Sequence, residues 1–151
     1  MTLPYETIFS RYLGILEDQN ELNFKESDLM ELEVERLHQV FGDPRILGKF
    51  DNLELDDDFE EITFELKNSV SEFADQEYLS RLLSLGMAIE WYQHRINNRK
   101  YTLISLGGKE EKMLQNLYKQ LQERQKTLQK EFSNLLSYNG YINNSYLQGG
   151  N

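Results

Sequence analysis

Leu114, Leu121, Leu128 and Leu135 recur at seven-residue intervals, and an apolar repeat of that period is satisfied by an α-helix packing along one narrow line. Leu117, Tyr118 and Phe132 stand beside the seam. The stretch "QLQERQKTLQKE" that carries Leu121 and Leu128 is otherwise polar and made of helix-forming residues. The pattern predicts a long helix from Met113 to Leu136. Its seam packs by default against its own chain, with a second copy as the alternative, and the glutamine- and lysine-rich remainder faces solvent or a partner.

Earlier in the chain, Tyr5, Ile8, Phe9, Tyr12, Leu13 and Leu16 make one apolar stripe after Pro4, a residue tolerated at a helix start. Met30, Val34, Leu37 and Phe41 make another, with Ser27 placed to cap it and Gly42, Asp43 and Pro44 placed to end it. Between Arg45 and Asn68 the helical period disappears. Phe50, Leu53 and Leu55, then Ile62, Phe64 and Leu66, alternate on either side of the acidic run Asp56 to Asp58, as expected of a small hairpin or extended arm. The run lacks the glycine and the spaced carboxylates of a calcium loop, so a solvated turn is expected.

A third helix is expected from about Ser69–Asp75 to Asn98, with Leu79, Leu82, Leu83, Gly86, Ile89 and Ile96 on one stripe and Trp91 and Tyr92 on its flank. Gly86 inside that pattern costs about 1 kcal/mol relative to alanine, which fits either a close helix crossing or a merely tolerated glycine. Glu90 and His94 are spaced to share a helical face, as metal ligands or a general base would be. Glu35 and His38 add one Glu-x-x-His pair, but a di-iron bundle needs two such pairs and two further glutamates. Packing is the preferred reading of this stretch. Gly107 and Gly108 mark a break before the last helix, and "YNGYINNSYLQGGN" at the end has no helical stripe.

Composition closes off several functions. The chain has no cysteine, which removes disulfides, thiolate zinc sites and cysteine nucleophiles. No segment approaches the ~18 apolar residues of a membrane span, and the first residues lack a signal-peptide layout, so a soluble, unexported chain is expected. Nucleophile elbows, phosphate loops and zinc-protease motifs are absent from the sequence, so no enzyme is expected, and no cofactor. A net charge of -10 argues against a dedicated nucleic-acid binder. The charge is also polarised: residues 1–80 hold 21 acids and 6 bases, residues 81–151 hold 5 acids and 10 bases. The pattern suits self-association, in which the acidic part of one copy meets the basic part of the next.

The order of parts from Phe59 onward resembles the small tailed-bacteriophage neck proteins, the head-tail connectors or adaptors. Those parts are the extended segment Ile62 to Leu66, the helix through Met87, Glu90 and Trp91, the Lys-Glu-Glu-Lys loop element Lys109 to Lys112, and the long polar helix Met113 to Leu136. The likeness covers roughly the last two thirds of the chain. It implies a structural virion protein whose copies form a ring, usually dodecameric, beneath the portal protein. Such a ring extends the DNA channel without binding DNA specifically and offers a platform to a tail or stopper protein. It carries no active site and contacts no membrane.

The expected fold is therefore mainly α: about four helices in a compact bundle over residues 1–136, a small extended or hairpin insertion near residues 50–66, and a flexible C-terminal arm over residues 137–151. The candidate assembly surfaces are the acidic group Asp56, Asp57, Asp58, Glu60 and Glu61, the basic group Arg95, Arg99, Lys100, Lys109 and Lys112, and the tail tyrosines Tyr141 and Tyr146. Two other functions compete. One is a cytosolic helical regulator that dimerises through the Leu114–Leu135 seam. The other is a carboxylate/histidine metal-binding helical bundle using Glu35, His38, Glu90 and His94.

Overall fold

The alternation at Ile62, Phe64 and Leu66 becomes the central strand of a small sheet in the computed structural model, which describes residues 1–16, 26–104 and 109–142. Strand β1 (Thr2–Pro4) leads into helix α1 (Tyr5–Leu16); α2 (Glu26–Val40) and the single-turn α3 (Pro44–Leu47) follow. Strands β2 (Phe50–Asp56) and β3 (Glu61–Leu66) form the hairpin, and two long helices, α4 (Glu72–Ile104) and α5 (Lys109–Ile142), complete the described chain. The fold is mainly helical, as the periodicities require, with five helices among the described residues and a three-stranded antiparallel sheet ordered β1-β3-β2.

β3 buries Ile62, Phe64 and Leu66 and turns Glu61, Thr63 and Glu65 away from the core. On β2 the corresponding residues are Phe50, Leu53 and Leu55, whose first step is three residues rather than two. A bulge between Phe50 and Asn52 absorbs the extra residue, so Phe50 pairs with Leu66, Leu53 with Phe64 and Leu55 with Ile62. β1 adds the third strand by pairing Thr2 with Thr63 and Leu3 with Ile62. Pro4, expected to open the first helix, instead ends this edge strand, where its missing N–H costs no ladder bond. The helix begins one residue later, and Tyr5, Ile8, Phe9, Tyr12 and Leu16 are buried from it.

The start of α2 differs from the expected one, and its expected stop signal has a second role. Ser27 lies inside α2, which starts at Glu26, so it is not the cap. Asp43 and Pro44 end α2 and also start α3: the Asp43 carboxylate accepts from the Arg45 amide at 2.9 Å, a side-chain N-cap, and Pro44 takes the first helical position. At the start of α4, Ser71 Oγ accepts from the Ala74 amide, while Asp75 reaches back to accept from the Val70 amide and the Ser69 hydroxyl.

The middle of α4 is apolar nearly all round, the signature of a helix at the centre of a fold. Leu79, Leu82, Leu83, Leu85, Met87, Ala88, Trp91 and Tyr92 are all buried, with α1, α2 and α5 packed around them. Gly86 marks a close crossing rather than a merely tolerated glycine. A Cβ built on it would stand 2.8 Å from Val40 Cγ1, 3.1 Å from Val40 Cγ2 and 3.4 Å from the Phe132 ring. Three helices meet there, so α2 and α5 can approach α4 only because position 86 carries no side chain.

α5 runs antiparallel to α4 along the leucine seam, in the intramolecular mode. Leu128, Phe132 and Leu136 are buried, and Leu121 and Leu135 pack against the core. Gln125 is buried with them and donates to Gln93 Oε1 at 2.9 Å and to the Ile89 carbonyl. Further along, the Tyr78 hydroxyl donates to the Leu135 carbonyl at 2.9 Å and Lys49 Nζ to the Leu136 carbonyl at 2.7 Å. Burial pushes the Tyr78 hydroxyl up to about 12 and the Lys49 ammonium below its ordinary value. Both long helices outrun their expected ends: α4 passes Asn98 to Ile104, and α5 passes Leu136 to Ile142. Helix therefore replaces loop through 99–104 and at the start of the expected C-terminal arm, while Gly107 and Gly108 lie outside the described residues.

Candidate interaction surfaces

The acidic group forms the tip of the β2–β3 hairpin, and its members divide into two kinds. Asp56 and Asp57 build the turn. Asp56 Oδ1 accepts from the amides of Asp58 and Phe59 at 3.1 and 3.0 Å, replacing backbone acceptors that a four-residue turn lacks. Asp57 accepts from the Tyr5 hydroxyl at 2.6 Å, and its carboxylate lies 3.0 Å from His38 Nε2. The Tyr5 hydrogen bond first, and His38 after it, hold the Asp57 carboxyl below its ordinary range. Burial first, then Asp57, pushes the Tyr5 hydroxyl well above its own. The Tyr5 amide closes the turn by donating to the Glu60 carbonyl at 2.8 Å.

Asp57 stays exposed while it makes these bonds, and the turn also presents Asp58, Phe59 and Glu60 outward, all exposed, with Glu61 half-buried at the start of β3. Glu60 adopts a left-handed backbone with φ of 54°, a conformation that non-glycine residues adopt at a cost of about 1–2 kcal/mol. Phe59 is 77% exposed. It lies outside both alternating groups, Phe50/Leu53/Leu55 and Ile62/Phe64/Leu66, so no period in the sequence signals its role.

The basic group lies beyond Tyr92 along α4 and at the start of α5. The Arg95 guanidinium sits over the Trp91 ring, 4.9 Å from its centroid, and Lys112 is exposed. Arg99 and Lys100 belong to the C-terminal part of α4, Lys109 is the first residue of α5, and Tyr141 is in its last turn. Tyr146 lies outside the described residues. The acidic and basic groups are not brought together within the chain: the turn adjoins the start of α1 and the end of α2, whereas the basic positions continue α4 past its buried centre.

The four candidate metal ligands do not converge either. His38 faces Asp57 on the hairpin, His94 is hydrogen-bonded to Asn98 on its own helix, and Glu35 and Glu90 are exposed. Among the described residues no three histidine, aspartate or glutamate side chains form a cluster able to hold a metal ion. The stretch around Trp91 is packing: Trp91 and Tyr92 are buried edge to face with centroids 4.9 Å apart, and Glu90 and His94 point outward.

Two of the hollows in the described surface border α5. One, of about 540 Å³, lies between α1, α4 and α5 and is lined by Arg11, Ile15, Arg81, Leu85, Asn134 and Leu135 among others; Arg11 is paired there with Glu77. The other, of about 280 Å³, lies between Tyr92 of α4 and Leu117, Gln120, Leu121 and Arg124 of α5. Beside it two apolar residues flanking the leucine seam are uncovered, Met113 at 62% and Leu117 at 40%, while Leu114 and Leu121 of the seam itself are half-buried. No helix among the described residues is long and apolar enough to cross a membrane. No protein-family model, no curated protein and no solved structure matches this chain.

Proposed function

We propose that this chain is a structural virion protein, a head-tail connector or adaptor whose copies form a ring below the portal, extend the DNA channel and provide a platform for the tail. The observation that carries the reading is the separation of two oppositely charged groups on one fold. The acidic hairpin tip adjoins α1 and α2, and the basic positions lie along the α4–α5 end. A ring requires two different complementary faces on each protomer, and opposite charge on them favours correct register and excludes wrong partners. The resemblance of the chain from Phe59 onward to neck proteins supplies the biological setting, and a surplus of acid suits a channel through which phosphates slide without sticking. The protein acts in this reading by assembly rather than catalysis.

A dimerising regulator built on the leucine seam has less to work with, because Leu128, Phe132 and Leu136 are already covered by the chain's own core. The deciding experiment is electron cryo-microscopy of the neck in virions that carry this chain. A ring between portal and tail whose density fits Trp91 and the α5 helix is the expected result; a fully traced neck lacking this chain overturns the proposal.

A further inference from the structure

The hairpin tip carries an exposed ring flanked by acids, and the smaller hollow has apolar walls and an exposed arginine on its rim. Phe59 projects from the tip between the exposed carboxylates of Asp58 and Glu60. The turn is held from several sides, by the Asp56 side chain, by the Tyr5 hydroxyl on Asp57 and by the Tyr5 amide on the Glu60 carbonyl, so the ring is presented rather than left on a loose loop. Little entropy remains to be lost when such a pre-ordered group binds.

The hollow between α4 and α5 has what that tip needs. Tyr92, Leu117 and Leu121 form aromatic and aliphatic walls, and about 280 Å³ accommodates one phenyl ring with its stem. Arg124, exposed on the rim, supplies the opposite charge, within a half of the chain that carries 10 bases and 5 acids. The two surfaces cannot meet within one copy: Phe59 is solvent-exposed and its turn is tied to α1 and α2, while the hollow lies at and beyond Tyr92 on α4.

We propose that Phe59 of one copy seats in the Tyr92–Leu117–Leu121 hollow of the next, with Arg124 facing the acidic turn. The contact is heterologous, so every open assembly still offers one free knob at one end and one free socket at the other, and repetition closes a ring or extends a filament. The inference rests on the assembly reading given above and specifies the contact between neighbouring copies that such a ring would use.

Because the chain has no cysteine, Asp58→Cys accepts a single nitroxide label beside Phe59. Labelled copies of the full chain are mixed with isotope-enriched, unlabelled copies, and amide signals are followed by NMR at rising concentration. Broadening confined to the amides from Leu117 to Arg124 and around Tyr92 is expected. Adding Phe59→Ser to the labelled copy is expected to weaken association at least about tenfold, the behaviour of an anchor residue. Broadening absent, located elsewhere or unaffected by Phe59→Ser overturns the contact.

A second measurement uses two variants altered only at exposed positions. Phe59→Ser retains the socket and Leu117→Gln retains the knob, so neither is expected to assemble alone, and their mixture is expected to stop at a one-to-one dimer in sedimentation velocity. A two-fold dimer formed by either variant alone contradicts the head-to-tail arrangement. Virion imaging is independent of both: a ring joined through other surfaces rejects this contact and keeps the connector, while the contact in solution with no chain in the neck does the reverse.

Discussion

The Tyr5 hydroxyl donates a 2.6 Å hydrogen bond to Asp57, a residue 52 positions further along the chain. Together with the bond from the Tyr5 amide to the Glu60 carbonyl, it fastens the first residue of α1 to the tip of the hairpin. The buried tyrosine thereby sets the angle at which Phe59 is carried. Tyr5 also packs against Phe9 with ring centroids 5.6 Å apart, so its ring is held from within the core while its hydroxyl holds the turn.

Removing only that hydroxyl isolates the tether. Tyr5→Phe keeps the ring in the core and is expected to lower stability by about 1 kcal/mol, the usual net value of such a bond. Urea denaturation reads the loss. Hydrogen exchange is expected to quicken at the amides of Asp58 and Phe59, and unchanged protection there argues that Asp56 alone shapes the turn.

The same pair gives stability a pH dependence at both ends of the scale. Asp57 has a folded value below its ordinary 3.8, so the native state binds this proton more weakly than the unfolded chain does. The stabilisation is present above the ordinary value and is lost as pH falls through the lower, folded one. Tyr5 is shifted the other way, upward from 10.0, by burial and then by Asp57; its contribution is full below pH 10.0 and is lost as pH rises through the folded value. Asp57→Asn is expected to flatten the acid limb of a stability–pH profile, and Tyr5→Phe to flatten both limbs. An Asp57→Asn chain with the wild-type acid limb contradicts the assignment.

Gly86 is the position where helix propensity and packing pull in opposite directions. Alanine there would gain about 1 kcal/mol of intrinsic helix preference, but its methyl would stand 2.8 Å from Val40 Cγ1. Overpacking a core typically costs about 1–3 kcal/mol, so Gly86→Ala is expected to destabilise the protein. Pairing it with Val40→Ala is expected to recover part of the loss, the coupling expected of residues in contact. A double variant no more stable than the sum of the two single losses places the strain elsewhere.

The apolar residues of α5, on the leucine seam and beside it, divide into covered and available ones. Leu128 is 1% exposed and Leu117 40%. Truncating the first to alanine is expected to cost about 2–5 kcal/mol, and truncating the second about 0.5 kcal/mol or less in the monomer. Thermal or urea unfolding compares the two directly. Equal losses would mean that α5 is held uniformly along its length.

Much of this architecture was legible before any coordinates, because the signals are local. A stripe at Tyr5, Ile8, Phe9, Tyr12 and Leu16, a strict alternation at Ile62, Phe64 and Leu66, and a glycine within the Leu79–Ile96 stripe each report the nearest few residues, and each appears where expected. The helical ends were less legible: 99–104 and 137–142 lack a continuous apolar stripe, and extending an existing helix needs far less local signal than starting one. β1 was not legible, since three residues carry no period and Thr2–Pro4 become a strand only by pairing with β3.

The candidate surfaces depended still more on tertiary structure. Charge counting located the acidic and basic groups, but it treated Asp56 and Asp57 as the equals of Asp58 and Glu60. Only the arrival of Tyr5 and His38 at the turn ties the exposed Asp57 to the fold, while Asp58, Phe59 and Glu60 face solvent beside it. In the same way, seven-residue spacing laid down the seam, but the placement of α1 and α2 against the first half of α4 decided that Leu128 is covered and Leu117 is not. Periodicity dictates which face of an element is apolar; which part of that face meets another element is decided by contacts between residues far apart in the chain.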